Sequence, residues 1–257
     1  MRTGVNQRAR PGAVFLFTDY THLGPYVGHL HARLRQAFDS APEVVDLMHD
    51  APAFRPDCAA YLLAANLKYL PPDAVVLAVV DPGVGTERGG LALRADGRWL
   101  IGPDNGLFAV AARDFADVQA YCLAPPPPGT PATFHGRDVF ADAAAEVAVT
   151  DRPPRGSEAV ETWVGHRWPR DWDALIYTDG FGNLISGRRG ETAPDQAELV
   201  VGGERLARAA KFADVPAGTA FWYVNALGLV EVAVNSGSAA QRLAQGPGGV
   251  LDWRARG

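Results

Sequence analysis

The chain alternates short apolar runs with longer stretches in which apolar residues recur every three or four positions. Residues 14–17, Val-Phe-Leu-Phe, read as a first strand that ends at Asp19. Residues 25–38 carry helical spacing, and Glu43-Val-Val-Asp46 reads as a second strand. Residues 57–69 place Ala, Leu and Tyr on a helical period, with Pro56 and Asp57 as start signals and Pro71-Pro72 as the stop. Next comes Ala74-Val-Val-Leu-Ala-Val-Val80, an unbroken valine-rich run of the kind buried on both faces of a parallel sheet. Strands alternating with helices predict an α/β domain with a mainly parallel sheet flanked by helices. Residues 91–93 and 98–101 around Asp96-Gly97 predict a hairpin. The proline run at 125–128 is a loop or short extended spacer, and residues 139–149 form an alanine-rich helix.

Periodicity breaks at 150–172, where Pro153-Pro154, Pro169 and several tryptophans fall among charges. Beyond it the pattern is of short strands, at 174–178, 198–201, 220–224 and 230–234, separated by Gly, Asn and Asp. This predicts a small antiparallel β-barrel-like domain. The expected organisation is a disordered lead-in over 1–11, an N-terminal α/β domain over 12–160, a linker over 161–172 and a C-terminal β domain over 173–257.

Composition narrows the class. The 257 residues are 47% hydrophobic and 21% charged, values that allow a sizeable core. A net charge of -5 leaves no footprint for nucleic acid or an anionic membrane, and no run approaches a membrane span. Cys58 and Cys122, the only cysteines, have neither disulfide-scaffold nor zinc spacing, which fits a reducing cytoplasm. The six histidines predict no metal site.

The candidate chemistry begins where the 74–80 run ends. Asp81-Pro-Gly-Val-Gly-Thr-Glu-Arg88 is a carboxylate, a tight turn and a returning arginine. In open parallel sheets, ligands sit beyond the carboxyl ends of the strands. Read locally, Asp81 is an ordinary turn residue and Arg88 an ordinary surface arginine; the position at the strand end favours a site. Thr133-Phe-His-Gly-Arg-Asp138 adds His135. An Asp, an Arg and a His together can hold and deprotonate a water. Asp19 ends the first strand and reads as a turn cap or a ligand. Asp179-Gly-Phe-Gly-Asn183 reads as a turn.

These segments, in this order, resemble the S-adenosylmethionine hydroxide adenosyltransferases, relatives of the fluorinase and chlorinase. The resemblance also takes in Phe17-Thr-Asp-Tyr20, Pro25-Tyr-Val-Gly28, Gly102-Pro-Asp-Asn-Gly-Leu107, Asn225-Ala-Leu-Gly228 and Val230-Glu-Val-Ala-Val-Asn235. It implies a large α/β domain followed by a small β domain. It implies hydrolysis of S-adenosylmethionine (SAM) to adenosine and L-methionine, with SAM as substrate and no cofactor or metal. Asp81, Arg88 and His135 are implied as the catalytic triad. Asp19 is implied to accept the ribose hydroxyls. Asn183 and Phe181 of the Asp179 motif would meet adenine, while Asn225, Ala226 and Glu231 would meet methionine or close the adenine pocket. A homotrimer with sites at subunit interfaces is also implied.

Two alternatives stand beside this reading. A SAM-dependent halogenase would make a 5′-halo-5′-deoxyadenosine, but those enzymes carry a tyrosine where this chain has Asp81, and Asp81 would repel a halide. A non-catalytic adenosine- or SAM-binding protein would not require the triad. The chain departs from the usual pattern at Tyr20, at Gly24, at Ala226, where serine is common, and at Ile185-Ser-Gly-Arg188.

Overall fold

The computed structural model describes residues 12–37, 42–194 and 197–255. The expected lead-in at 1–11 lies outside them. The elements are, in order, β1 (Val14–Thr18), α1 (Tyr26–Gln36), β2 (Val44–Met48), α2 (Pro56–Leu67), β3 (Val75–Val79), β4 (Gly90–Ala95), β5 (Arg98–Pro103), β6 (Val118–Cys122), α3 (Ala141–Thr150), β7 (Glu158–Val160), β8 (Trp172–Thr178), β9 (Leu184–Arg189), β10 (Ala197–Val201), β11 (Glu204–Arg208), β12 (Ala220–Val224), β13 (Leu229–Val234), α4 (Ala239–Leu243) and β14 (Asp252–Ala255). They form two compact units: the described residues up to 54 and from 70 to 166 make one, and those from 55 to 69 and from 167 onward make the other. Helix α2, although it lies between β2 and β3 in sequence, belongs to the second unit and packs on β8 and β9.

The first unit is built on a seven-stranded sheet in the order β2-β1-β3-β5-β4-β6-β7. It is mixed, which corrects the expectation of a mainly parallel sheet. Pairs β1/β2, β1/β3 and β3/β5 are parallel, while β4/β5, β4/β6 and β6/β7 are antiparallel. The physical reason lies in the connections. Parallel neighbours need a long crossover, whereas a two-residue turn can join only antiparallel ones. Asp96 and Gly97 both take positive φ, 46° and 90°, the requirement of a tight hairpin turn that joins β4 to β5. The fully buried strand β3 lies inside the sheet, and its buried valines pack with Leu30, Leu34, Phe140 and the alanines of α3.

The second unit is a seven-stranded sheet in the order β14-β10-β11-β12-β13-β9-β8. It is antiparallel as expected, apart from the parallel pair β11/β12. It curls: Ala174 in β8 bridges Val250 ahead of β14, and Trp253 Nε1 donates to Asp173 Oδ1 at 2.8 Å. Its core joins Trp222, Val230, Val232, Leu184, Leu199 and Leu251.

Candidate active site

In the first unit, β1 and β3 are parallel neighbours whose last residues, Thr18 and Val79, stand side by side. Asp19 and Asp81 therefore emerge beyond the same ends of adjacent strands, the location at which an open sheet presents ligand-binding groups. The turn after β3 is pinned from several sides. Val84 N–H donates to the Asp81 carbonyl at 3.4 Å, Thr86 Oγ1 donates to the Gly83 carbonyl at 2.7 Å, and Asn105 Nδ2 holds the Val80 carbonyl at 2.9 Å. The turn returns Arg88 to Asp81.

The pair they make is buried and two-pronged. Arg88 Nε donates to Asp81 Oδ1 at 3.1 Å and Nη2 to Oδ2 at 2.6 Å, with the side chains only 9% and 6% exposed. Nη1 is taken by the Gly89 carbonyl at 2.7 Å, and the guanidinium lies 5.1 Å from the centre of the Phe140 ring. Arg88 Nη2 also stands 3.4 Å from His135 Nδ1. His135 immediately precedes a π-helical turn, Gly136–Phe140, that leads into α3. Such turns are frequent at functional sites. Gly136 has no room for a side chain, because a Cβ there would stand 2.1 Å from the Tyr20 hydroxyl.

Asp19, Asp81 and His135 line one cavity of about 420 Å³ together with Tyr20, Tyr26, Phe54 and Phe134. Burial raises the Asp19 carboxyl above the usual range, an effect opposed by the Phe54 and Asp19 N–H groups and reinforced by the nearby charge of Asp81. The Phe54 N–H reaches Asp19 Oδ2 at 3.3 Å. Phe54 has no signature in the sequence. In the structure it is 75% exposed at the cavity, and its φ of 59° is unusual for a bulky residue. The sequence shows Tyr20 only as part of a motif, and its place in the cavity is a structural finding.

The remaining predicted residues gather in the second unit, around another cavity, of about 810 Å³. It is lined by Asp179, Phe181, Asn183, Asn225, Ala226 and Glu231, with Phe212, Tyr223 and Ser236 as residues that sequence reading did not single out. Asp179 organises its own turn between β8 and β9. Its Oδ1 accepts from the N–H groups of Phe181 and Asn183, each at 2.9 Å, and its Oδ2 accepts from Asn183 Nδ2 at 2.9 Å. This holds the buried Asn183 amide in one orientation and leaves Phe181 projecting, 81% exposed. Asn225 forms the turn between β12 and β13: its Oδ1 accepts from Leu229 N–H at 3.0 Å and its Nδ2 donates to Glu231 Oε2 at 2.8 Å. Tyr223 lies opposite Glu231 in the strand register, and its hydroxyl donates to Glu231 Oε1. Burial raises the Glu231 carboxyl above its ordinary range; the Tyr223 and Asn225 donors oppose this and the charge of Asp179 adds to it. The Ala226 carbonyl accepts from Lys68 Nζ and the Tyr69 hydroxyl, just after α2.

Cys58 and Cys122 are both free, and among the described residues no group of three His, Cys, Asp or Glu could hold a metal ion. No helix there is long and apolar enough to cross a membrane.

Comparison with known proteins gives the chain a family. Residues 14–155 match the model of the SAM hydroxide adenosyltransferase N-terminal domain, and residues 174–251 match that of its C-terminal domain. An (R)-S-adenosyl-L-methionine hydrolase of Thermus thermophilus is 42% identical, over 90% of this chain and 94% of its own. A protein with the same name from Salinispora arenicola is 38% identical, over 91% and 94%. A crystal structure of a conserved protein from Thermotoga maritima aligns with a TM-score of 0.83 at 25% identity, over 95% of this chain and all of that one. A crystal structure of a conserved hypothetical protein from Thermus thermophilus aligns at 0.77 and 38% identity, over 94% and 99%. With both domain models matched in order and relatives similar over nine-tenths of its length, this chain belongs to the SAM hydroxide adenosyltransferase family.

Proposed function

We infer that the protein hydrolyses S-adenosyl-L-methionine, by attack of water or hydroxide at C5′, to adenosine and L-methionine. The observation that carries this reading is the buried Asp81–Arg88 pair abutting His135 beside Asp19, in a member of this family. SAM is a sulfonium ion, so methionine leaves as a neutral thioether and needs no general acid. The demand falls on the nucleophile. Water must lose a proton as it attacks, in line with the C5′–S bond.

The geometry supports a division of labour. Arginine stays cationic and cannot serve as a base. Arg88 is therefore the group that stabilises developing hydroxide, and Asp81 holds its guanidinium by two hydrogen bonds. His135 has no carboxylate hydrogen-bond partner among the described residues and is the proton acceptor. Asp19, next to the triad, takes the ribose hydroxyls. In the second unit, the orientation imposed by Asp179 suits Asn183 to reading the adenine edge, with Phe181 beside the base. Asn225, Ala226 and Glu231 face the methionine portion or close the adenine pocket. No cofactor enters the reaction.

The reacting groups and the adenine-reading groups lie on separate units, which supports assembly into a homotrimer whose sites combine the large domain of one subunit with the small domain of the next. Three copies are a closed solution to such a head-to-tail interface. The names of the relatives specify the (R) form of the substrate, and we read this as the configuration at sulfur.

The test is to incubate purified protein with each sulfonium epimer in heavy-oxygen water, with and without halide. Labelled adenosine and methionine should form without halide, faster from the (R) epimer. A 5′-halo-nucleoside as main product would favour the halogenase, and no product would leave a binding protein. Unlabelled adenosine would refute attack by water at C5′.

A further inference from the structure

We propose that the Tyr20 hydroxyl is a further catalytic group of this site, donating a hydrogen bond to the attacking water or hydroxide beside Arg88 and His135. The proposal rests on the hydrolytic reading above. Tyr20 follows the β1 strand end, and its N–H donates to Thr18 Oγ1 at 3.2 Å, while Thr18 Oγ1 also engages the buried His49 Nδ1 at 2.8 Å. The ring is clamped edge-on against Phe134, with centroids 5.5 Å apart, and lies 6.0 Å from Tyr26. Tyr20 also packs against the hydrophobic core of the first unit. The side chain is thus held from the backbone outward.

The hydroxyl then ends at a particular place. It lies over the Cα of Gly136, so close that no side chain fits there, and Gly136 adjoins His135. It lines the same cavity as Asp19, Asp81 and His135. Yet it makes no hydrogen bond to the protein among the described residues. A half-buried phenol lining a cavity, with its ring fixed and its O–H unpaired, is satisfied by what enters that cavity. The end of the cavity next to His135 is where the reacting water belongs, so the partner is the nucleophile rather than a distant part of SAM.

The proton on this oxygen is secure. Burial, then the charges of Asp19 and Asp81, push the phenol far above its ordinary pKa. Tyr20 is therefore a donor and never the base. A donor aimed at the attacking oxygen favours hydroxide over water and lowers the pH at which the nucleophile is activated. The other titratable and charged groups of this corner are Asp19 after β1, Asp81 and Arg88 around the turn after β3, His135 before α3, and Tyr26 and His29 on α1. Removing one hydroxyl leaves all of them in place.

The experiment is Tyr20→Phe, which keeps both ring contacts and removes only the O–H. Steady-state adenosine release is measured across pH for the wild type and the variant, with thermal melting as a check on folding. The wild type reports on the hydrolytic reading: if it releases no adenosine, that reading fails first. If it does, the variant should melt like the wild type, keep its KM and lose about five- to tenfold in kcat, the scale of one hydrogen bond. The alkaline-rising limb of kcat should move up by about half to one pH unit. An unchanged kcat with an unchanged limb would overturn the proposal. So would a raised KM at constant kcat, because the hydroxyl would then meet the substrate and not the nucleophile.

Discussion

Asp81→Asn tests the buried ion pair as both a structural and a catalytic unit. In the wild type, the two carboxylate oxygens accept two hydrogen bonds from Arg88, at 3.1 and 2.6 Å, with both side chains almost out of solvent. Asparagine fits the same space but offers one oxygen and one NH2. One guanidinium N–H then faces another donor, and the arginine charge loses its counter-charge. Breaking a buried pair from one side costs about 3–5 kcal/mol, and the surviving acceptor places this variant near 3. For a unit of this size, that corresponds to a fall in melting temperature of ~6–12 °C. The guanidinium that flanks His135 is no longer fixed, so kcat for adenosine release should fall about a hundredfold, as when a stabilising donor is misplaced. The double variant Asp81→Asn/Arg88→Met separates the two effects. It removes the stranded charge and keeps an unbranched chain against Phe140. It should regain part of the lost melting temperature while remaining inactive, because an unpartnered neutral amide costs less to bury than an unpaired guanidinium. Differential scanning calorimetry with a coupled adenosine assay reads both quantities. A single variant that melts with the wild type and turns over within about threefold of it would refute the reasoning, as would a double variant less stable than the single.

Arg88→Ala and His135→Ala should each lower kcat by about two orders of magnitude while SAM affinity by calorimetry changes much less; near-normal turnover in both would remove them from the mechanism. Glu231 has a folded pKa raised above 4.5, so its contribution to stability is complete below pH 4.5 and is lost as pH rises through the folded value. Glu231→Gln, with the Tyr223 hydroxyl turned to accept, should therefore gain on the wild type in denaturant melts as pH rises from 4 to 7, and a constant difference would contradict this. Asp81→Ala and Asn183→Ala chains, each inactive alone, should recover part of their activity when co-assembled if sites are shared; a fully active monomer by sedimentation would exclude that arrangement.

The residue pattern alone carried the local parts of this protein. The valine run at β3 had to be a buried strand, Asp96-Gly97 had to be a hairpin turn, and Asp81 had to sit at a strand end, because each depends on backbone preferences within a few residues. Motif order likewise marked Asp19, Asp81 and His135, which line one cavity, and Asp179, Phe181, Asn183, Asn225, Ala226 and Glu231, which line the other. What depended on distant partners was not legible. The sheet of the first unit is mixed because β5 slots between β3 and β4, which no single window of sequence reveals. Strands β7, β11 and β14 are short edge or polar segments whose pairing, not their composition, makes them strands. Helix α2 packs with a sheet that begins about a hundred residues later. At the site, only the folded chain shows that Asp81 takes Arg88 rather than His135, since the bidentate geometry is set by the turn between them. Only it brings the Phe54 N–H to Asp19, and only it lays Tyr20 over Gly136. Backbone propensity is local and therefore written in the sequence. The close approach of groups from different elements is the outcome of packing them all at once, and it exists only in the tertiary structure.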